Sequence, residues 1–419
     1  MRSIRSALAV TCLLAACASH DAPRSLVTSA APLVPTTRVV DGIAILEHPA
    51  DAFARAPQFT IDTMPVAVMG GAGADPKYDL THADVVVPLR GGRYATFGRA
   101  GSQLMIFDAK GKGEHFWGGQ GEGPGYFVRV NDMLSLSGDT LFLIDDANRR
   151  RNWVLPDRGV VQQEPFVPTL QLFGLVPTGF LRNGQIVAFD AAGRNETVDR
   201  TTRWPVPIVI MGHKGDSASV VDSIAGWEVT PVETHFRGRK AIHPMPVRLG
   251  RSPRITAWDS MIASTDNNSY IIDLRMSDGR LVERIRVPVA RREVTAAMRD
   301  TLIAAGLRRF SASGEGEGMV DPAESKRLIA AEPIADSLPF VHKFFVTEDK
   351  TLWAVDAIAP GDTGWDATAF RTDGAIIGRL HFGGTSMPIA FANDRVIVRA
   401  EDDDGVIAFH VYRIIPRPR

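Results

Sequence analysis

A glycine-rich segment occurs twice in this chain, and the repeat constrains the fold more than any other feature. The second copy, residues 117–127, reads Trp-Gly-Gly-Gln-Gly-Glu-Gly-Pro-Gly-Tyr-Phe. It aligns with the segment that begins at Met69, at an offset of 48 residues (118 minus 70). The matched pairs are Gly70/Gly118, Gly71/Gly119, Gly73/Gly121, Pro76/Pro124, Tyr78/Tyr126 and Asp84/Asp132. Self-similarity at a period of about 40 to 50 residues is typical of propeller blades and other stacked repeats.

The same glycines also fit a phosphate-binding G-x-G-x-x-G pattern. That pattern binds phosphate when a helix follows it, because the helix N-terminus then faces the anion. No helical pattern follows residue 127. The repeat therefore predicts connections between strands, where positive φ and close backbone approach favour glycine.

Composition narrows the class of protein and of partner. The 419 residues are 45% hydrophobic and carry a formal net charge of −1, which is ordinary for a globular chain and argues against nucleic acid as a partner. No cysteine follows Cys17, so an exported form would depend on its apolar core and not on disulfides.

The N-terminal residues indicate an export signal. Arg2 and Arg5 precede a short apolar run, Ala7–Leu14, and the chain then reads Leu14-Ala15-Ala16-Cys17. This ending resembles the lipobox of bacterial exported lipoproteins, which implies cleavage before Cys17 and acylation of its sulfur. An ordinary signal peptide cut elsewhere is the alternative. No later run approaches the roughly 20 apolar residues of a membrane span, so we expect membrane attachment through the lipid alone.

Three segments follow from this pattern. Residues 1–16 are predicted to be a signal peptide and residues 17–57 a lipidated tether rich in Ala, Pro, Ser and Thr, part of which (38–46) is apolar enough to pack on the body. Residues 58–419 are predicted to be the folded body.

The body reads as short strands in pairs around tight turns, which indicates an all-β fold. The predicted outer hairpins are Met105–Phe116, Trp153–Val161, Ile208–Val221, Ile271–Val287 and Thr368–Leu380, and each has a strand pair upstream. A sixth set, from Met387, lacks one strand. We expect Phe59–Met69 to pair with Ile407–Ile415 and complete it, because closure removes two exposed edges. The sequence thus predicts a six-bladed β-propeller with a helical insert, residues 288–339, between blades four and five.

The chain resembles the NHL-like six-bladed β-propeller lipoproteins of bacteria over most of residues 59–415. The resemblance is carried by residues 118–127, by the segments 349–355 and 370–374, and by 401–405 leading to 411–414. It implies the fold and little about activity. Tyr126 departs from the pattern, because an acidic residue commonly stands at that position.

Long connections concentrate on one face of the predicted ring, and binding residues concentrate on such connections. We call this the long-connection face; it carries 70–83, 118–131, 190–204, 226–253, 288–339, 357–367 and 401–405. The segment 226–253 is expected to be a basic loop that attracts an anionic ligand or partner, or else a solvated loop that balances the acidic run 401–404. The predicted binding residues are Gln120, Glu122, Tyr126, Arg237 and Arg239.

The segment 288–339 has helical spacing in Val294, Met298, Leu302 and Leu307, and Asp321-Pro322 predicts the start of a second helix. Amphipathic spacing reports burial and not what is covered. Two interpretations remain open at this point: the helices cover the central channel, or they support the side of the ring.

Motifs for catalysis are sparse. There is no H-E-x-x-H and no G-x-S-x-G sequence. Only Asp84 and Asp132, with Asn131 beside one of them, recur at matching positions; we expect them to cap backbone N–H groups between blades, and metal ligands at the channel are the alternative. We predict no cofactor, no metal and no catalytic residue. The predicted function is a monomeric, lipid-anchored binding module in the bacterial envelope, in the outer membrane facing the periplasm, for an unknown ligand or envelope protein. The alternative is a metal-dependent hydrolase or lyase of lactonase type.

Overall fold

The computed structural model describes residues 25–26, 31–83, 85–98, 102–136, 139–166, 174–191, 198–212, 217–236, 239–312, 322–402 and 404–417. For residues 131, 132, 236, 239, 311 and 312 it describes the backbone only. Strands dominate this part of the chain and form several mostly antiparallel sheets, as the sequence predicts. No helix among these residues is long and apolar enough to cross a membrane.

Five short elements precede the repeated part of the chain. They are β1 (Thr36–Val40), β2 (Ile43–Glu47), α1 (Ala52–Arg55), β3 (Gln58–Ile61) and β4 (Ala67–Gly70).

The next two sheets each contain four consecutive antiparallel strands. The first contains β5 (Val86–Pro88), β6 (Tyr94–Gly98), β7 (Gln103–Phe107) and β8 (Gly113–Gly118). The second contains β9 (Val130–Ser135), β10 (Leu141–Asp145), β11 (Arg150–Leu155) and β12 (Gly159–Pro165).

Two larger sheets follow along the chain. The third contains β13 (Leu175–Phe180), β14 (Ile186–Asp190), β15 (Thr202–Met211), β16 (Ala218–Phe236) and β17 (Arg239–Pro246). The fourth contains β18 (Arg254–Trp258), β19 (Met261–Thr265), β20 (Ile271–Arg275) and β21 (Leu281–Arg286), with β2 and β1 added at its outer edge.

The last strands share one sheet. They are β22 (Val341–Val346), β23 (Leu352–Asp356), β24 (Gly364–Phe370), β25 (Ile376–Gly383), β26 (Met387–Ala392), β27 (Arg395–Glu401) and β28 (Ile407–Pro416). Strand β3 lies between β25 and β28 and joins the two halves. All five predicted outer hairpins pair as expected.

Two helices lie in the segment between β21 and β22. They are α2 (Ala296–Ala312) and α3 (Pro322–Ala330). Helix α3 begins at the proline that the sequence indicated, which suits a first helical position because proline has no N–H to satisfy there.

The first strand of each group of consecutive strands contacts the first strand of the next group. Strand β5 contacts β9, and the contacts continue from β9 to β13, from β13 to β18, from β18 to β22 and from β22 to β26. Strand β26 contacts β5, so the contacts form a closed cycle. Buried apolar side chains fill the space between neighbours; for example, Phe97 packs edge-on against Phe127, 5.6 Å between ring centroids. Burial of each such aromatic side chain stabilises the fold by about 1.5 to 3 kcal/mol.

The N-terminal segment closes this cycle, as predicted. Strand β4 pairs antiparallel with β28, so Met69 lies opposite Phe409 and both side chains are fully buried. The predicted single strand over 59–69 is in fact two, because the chain bends between β3 and β4 at a segment that contains Pro65, which cannot donate to a ladder.

Much of the expected tether packs on the body. Leu33 exchanges backbone hydrogen bonds with Ile376, and β2 pairs in parallel with β21, burying Ile45 and Leu46. The hairpin β1–β2 thereby covers the edge that β21 would otherwise expose. Leu26 also packs against a buried apolar cluster, so the chain contacts the body well before residue 58, where the sequence analysis placed its start.

The segments that join the strands form two sets, and side-chain hydrogen bonds and ion pairs join members of the same set. Tight turns meet one another, as where Arg182 pairs with Asp259 at 2.6 Å. At the other end of the strands, the β10–β11 turn meets the β8–β9 connection, where Asn148 donates to the Gly121 carbonyl. The β21–β22 and β23–β24 connections also meet there, where Arg292 pairs with Asp362. The two sets lie at opposite ends of the strands, because each strand runs antiparallel to the one before it.

Two methionines in the closing segment allow a test of closure. Met69 is fully buried, whereas Met64 is 71% exposed. Met69→Ala should lower the free energy of unfolding by about 2 to 5 kcal/mol, because it leaves a cavity in a packed core. Met64→Ala should change it by less than about 0.5 kcal/mol. Chemical denaturation of both variants measures the difference, and equal effects would contradict the importance of the β4–β28 pair.

Candidate functional site

The glycine loop, residues 118–127, connects β8 to β9 and has a rigid backbone. Gly118 has φ of 89°, and a Cβ there would lie 2.5 Å from the ring of Phe127. Only glycine satisfies both constraints, and its equivalent Gly70 also has a positive φ of 72° at the end of β4. The sequence repeat therefore marks the same structural position in both copies.

The three predicted binding residues of this loop are exposed. Tyr126 is 50% exposed, and its ring lies over Gly119, Gly121 and Gly123, where ideal Cβ atoms would be 3.4 to 3.5 Å away. Gln120 and Glu122 are also exposed. These side chains form a projecting surface.

The turn after β10 holds the glycine loop in place. Asp145 is fully buried and accepts bonds from the backbone N–H groups of Val128 and Arg129 at 2.8 and 3.1 Å. Asn148 Nδ2 donates to the Gly121 carbonyl at 3.1 Å, and Arg150 Nη1 donates to the Glu122 carbonyl at 2.6 Å. The polar groups of residues 145–150 therefore position the glycine loop.

The expected loop 226–253 is mostly a β-ribbon, so that prediction was wrong. The second half of β16 pairs with β17 from Val229–Pro246 to Phe236–Arg239. Alternating β-branched residues in this segment were the signal for strands. We call residues 226–246 the ribbon. Arg237 lies outside the described residues, and Arg239 takes part in the ladder at the tip of the ribbon. The ribbon belongs to another sheet than the glycine loop.

Several charged side chains of the ribbon and its base are paired. Lys240 contacts Glu233 at 2.5 Å, Arg251 contacts Glu228 at 2.8 Å, and Arg248 contacts Glu332 at 3.5 Å. Helix α3 also binds the ribbon, since Arg327 donates to the Glu233 carbonyl. These pairs reduce the net positive charge that the sequence suggested for this segment.

A cavity of about 320 Å³ lies at the base of the ribbon, on the long-connection face. It is bounded by the first residues of β18 and β22, the base of the ribbon, helix α2 and the segment before β22. Six of its lining residues are used below: Glu228, Arg251, Arg254, Leu302, Leu338 and His342.

Arg254 is the largely buried cation of this cavity. Its Nη1 donates to the Pro253 carbonyl at 3.0 Å and its Nε to the carbonyl of His342. Among the described residues, no carboxylate pairs with it. Burial lowers its pKa to about 10, so the guanidinium remains charged at neutral pH without a counter-charge.

His342 lies beside this arginine at the start of β22. Burial, together with the positive charges of Arg254 and Lys343, lowers the pKa of its imidazole to about 4. The ring is therefore neutral at physiological pH and offers one N–H donor to the cavity.

A buried asparagine fixes the two strands that carry these groups. Asn267 is fully buried; its Nδ2 donates to the carbonyls of Ser252 and Val341 at 2.8 and 2.9 Å, and its Oδ1 accepts from the N–H of Val341. It thereby joins the residues next to Arg254 and His342. Fully satisfied buried amides of this kind specify geometry, because a shift would leave polar groups unpaired.

The cavity has an excess of positive charge. Glu228 offsets Arg251, and the hydrogen bond from Arg251 lowers the pKa of Glu228, which keeps it ionised. Arg248 is offset by Glu332. Arg254 has no such partner among the described residues, and a single anion in the cavity would supply the missing charge.

A larger hollow of about 490 Å³ lies between α2, α3 and the ribbon. It is lined by Phe310, Ile329 and the paired Arg248 and Glu332, among others. Its lining residues, as far as the structure describes them, include no buried cation of the kind found in the smaller cavity, so its size alone does not make it the better candidate.

The sequence analysis missed Arg254 and His342. Arg254 is the first residue of the strand Arg-Ile-Thr-Ala-Trp, and His342 is the second residue of the strand Val-His-Lys-Phe-Phe-Val. The available signal was a polar side chain at the end of each strand that faces the long connections. Asp84 lies outside the described residues, as do the side chains of Asn131 and Asp132. Among the described residues no group of three or more His, Cys, Asp or Glu is arranged to hold a metal ion.

Comparisons with known proteins give structural likeness alone. No model of a protein family matches the chain, and no curated protein matches it. A member of the DUF4221 family from Bacteroides vulgatus is similar over 87% of this chain and 100% of its own, with 8% identity and a TM-score of 0.49.

Two further similar structures have propeller-like folds. The calcium-binding protein regucalcin from Agrobacterium tumefaciens is 12% identical over 86% of this chain and 97% of its own, with a TM-score of 0.36. A catalytically inactive virginiamycin B lyase from Staphylococcus aureus is 11% identical over 84% and 88%, with a TM-score of 0.34. Similarity at this level specifies neither a ligand nor a reaction.

His342 predicts a pH dependence of stability. Its folded-state pKa of about 4 lies below the ordinary 6.5, so the unfolded chain binds the proton more readily between these values. The contribution of His342 should be complete above pH 6.5 and be lost as the pH falls towards 4, by up to about 3 kcal/mol.

Replacing His342 by Gln should flatten the dependence of unfolding free energy on pH in this window. The exposed His82→Gln variant should keep the wild-type slope. Urea denaturation at a series of pH values measures both. An unchanged slope in His342→Gln would contradict the burial of a neutral imidazole.

Proposed function

We propose that this protein is a lipid-anchored, six-bladed β-propeller of the bacterial envelope that binds an anionic ligand on its long-connection face. One observation carries the functional part: Arg254 is largely buried in a cavity and no described carboxylate pairs with it. Moving a charge out of water costs several kcal/mol unless an opposite charge compensates it. A site that retains such a cation is suited to receive an anion.

The closed cycle of strand contacts supports the blade count. Six groups of strands begin with β5, β9, β13, β18, β22 and β26, and a cluster of buried apolar residues lies between each neighbouring pair. In this arrangement β4 is the outer strand of the last blade, and the helical insert lies between blades four and five. We propose that the insert covers the cavity at the base of the ribbon, because Leu302 of α2 lines it; a cover over the central channel and a support at the side of the ring remain the two interpretations from the sequence.

The exposed residues predicted from sequence have a place in this proposal. Gln120, Glu122 and Tyr126 on the glycine loop, with Arg237 and Arg239 of the sequence segment 226–253, are proposed as outer contacts. Tyr126 supplies a rigid amphipathic ring, and the arginines supply forked donors.

The proposed anion site can be tested by thermal denaturation of the purified protein with sodium acetate, benzoate, octanoate and phosphate at constant ionic strength. At least one anion should raise the melting temperature by about 3 to 5 °C when its concentration is about 100 times the dissociation constant. Choline chloride at the same ionic strength is the control and should give no shift. If none of the anions stabilises the protein, the proposed function is wrong.

The proposed lipid anchor rests on Leu14-Ala15-Ala16-Cys17. Cys17→Ser should release the protein from the membrane pellet, because the acyl chains supply the membrane affinity. Cell fractionation measures the release, and mass spectrometry of the wild type should find a lipid-modified N-terminal cysteine. A variant that stays in the pellet, with no lipid on the wild type, would refute the anchor.

A further inference from the structure

The walls of the cavity restrict which anion it suits. Apart from the polar groups described above, the lining includes the apolar side chains of Trp227, Leu249, Leu302, Leu338 and Ile358. They come from the ribbon base, the connection to β18, helix α2 and the segments that flank β22 and β23. A small, strongly hydrated ion would leave this apolar surface in contact with water, so charge alone does not account for the site.

The polar groups also limit the charge of the ligand. Arg251 is bound to Glu228 through two nitrogen–oxygen contacts, at 2.8 and 3.2 Å, and Arg248 is paired with Glu332. Arg254 thus provides one positive charge that no carboxylate in the described part of the chain pairs with, and the neutral imidazole of His342 provides a hydrogen-bond donor. This inventory suits a group with one negative charge and at least two acceptor oxygens.

The volume of the cavity limits the size of its ligand. A cavity of about 320 Å³ is at the small end of the range for sites that enclose organic ligands, which is about 300 to 1,000 Å³. It is too small for a folded partner and large enough for a short acyl chain or a single aromatic ring.

We propose that the cavity binds a small amphiphilic monoanion, with its oxyanion group on Arg254 and His342 and its apolar body against Leu302, Leu338 and Ile358. This inference rests on the proposed anion-binding function and specifies its ligand class. A carboxylate has the required single charge, whereas a phosphate monoester offers the same acceptor oxygens but is mostly doubly charged at pH 7, because its second pKa is about 6.

The test is isothermal titration calorimetry on the full chain carrying Cys17→Ser, which removes the proposed lipid and the need for detergent. The probes are acetate, butyrate, hexanoate and octanoate, with octyl phosphate and the neutral analogue octanol. Affinity should rise by about fourfold for each added methylene until the apolar wall is covered, because each buried methylene contributes about 0.8 kcal/mol. Octanoate and octyl phosphate compare the two charged groups.

Two substitutions locate the site. Arg254→Met should weaken octanoate binding by roughly 10- to 100-fold, as expected for loss of a charged hydrogen bond. The matched control is Arg308→Met, an exposed arginine of α2, which should bind octanoate as the wild type does. Leu302→Phe should weaken octanoate more than acetate, because the larger ring occupies the apolar end. Circular dichroism of each variant confirms that it is folded.

The outcomes separate the two proposals. If acetate binds as tightly as octanoate and both depend on Arg254, the anion site stands and the amphiphile is refuted. If octanol binds as well as octanoate and Arg254→Met changes neither, the charged end is refuted. If no anion binds the wild type, the proposed function fails and this inference fails with it. Should Arg254→Met be unfolded, the chain-length series and Leu302→Phe still decide the question.

Discussion

The pairing of β4 with β28 is the interaction on which the rest of the structure depends. It brings a strand from the N-terminal part of the chain to the last strand, and Met69 and Phe409 are buried where they meet. Without it, β28 would expose the edge that β4 covers and the apolar cluster between the last and first sheets would lose one wall. Arg395 of β27 also donates to the hydroxyl of Tyr94 in β6, so closure is a side-chain contact as well as a backbone ladder.

In a closed cycle, the first strands of neighbouring sheets have fixed positions relative to one another. The cavity is bounded by the beginnings of two such strands, β18 and β22, so the closed cycle positions its walls. Arg254 and His342 are 88 residues apart in sequence, yet the arginine donates to the histidine's carbonyl because β18 and β22 are neighbours. Asn267 then joins the residues that flank them. Rigidity of this kind allows a buried cation to persist, because the surrounding structure prevents it from moving out to water.

The local part of this architecture was predictable from sequence and the non-local part was not. Turns such as Asp278-Gly279 depend on residues adjacent in the chain, and Gly279 has the positive φ that its type favours. The glycine repeat predicted equivalent positions at Gly70 and Gly118 for the same reason.

The ribbon was predicted as a loop because its many charged residues were given more weight than its alternating β-branched residues. Those residues are in strands, since β16 and β17 pair with each other. The cavity could not be predicted, because its walls come from segments that only the tertiary fold brings together. The glycine loop illustrates the same limit: its exposed tyrosine suggested a binding surface, but the buried Asp145 that supports it lies in another turn.

Residues of the segment between β21 and β22 both line the cavity and pack that segment against the body. Leu338 lines the cavity and also packs with Val294 and Ala359, while Met298 of α2 packs against the same cluster. Few buried apolar residues hold this segment, so its packing is weaker than that between the sheets. An amphiphilic ligand in the cavity would add apolar contacts to Leu302 and Leu338 from the cavity side. Its anionic group would offset the charge of Arg254. We therefore expect a bound ligand to stabilise the packing of this segment, because both depend on the same buried surface.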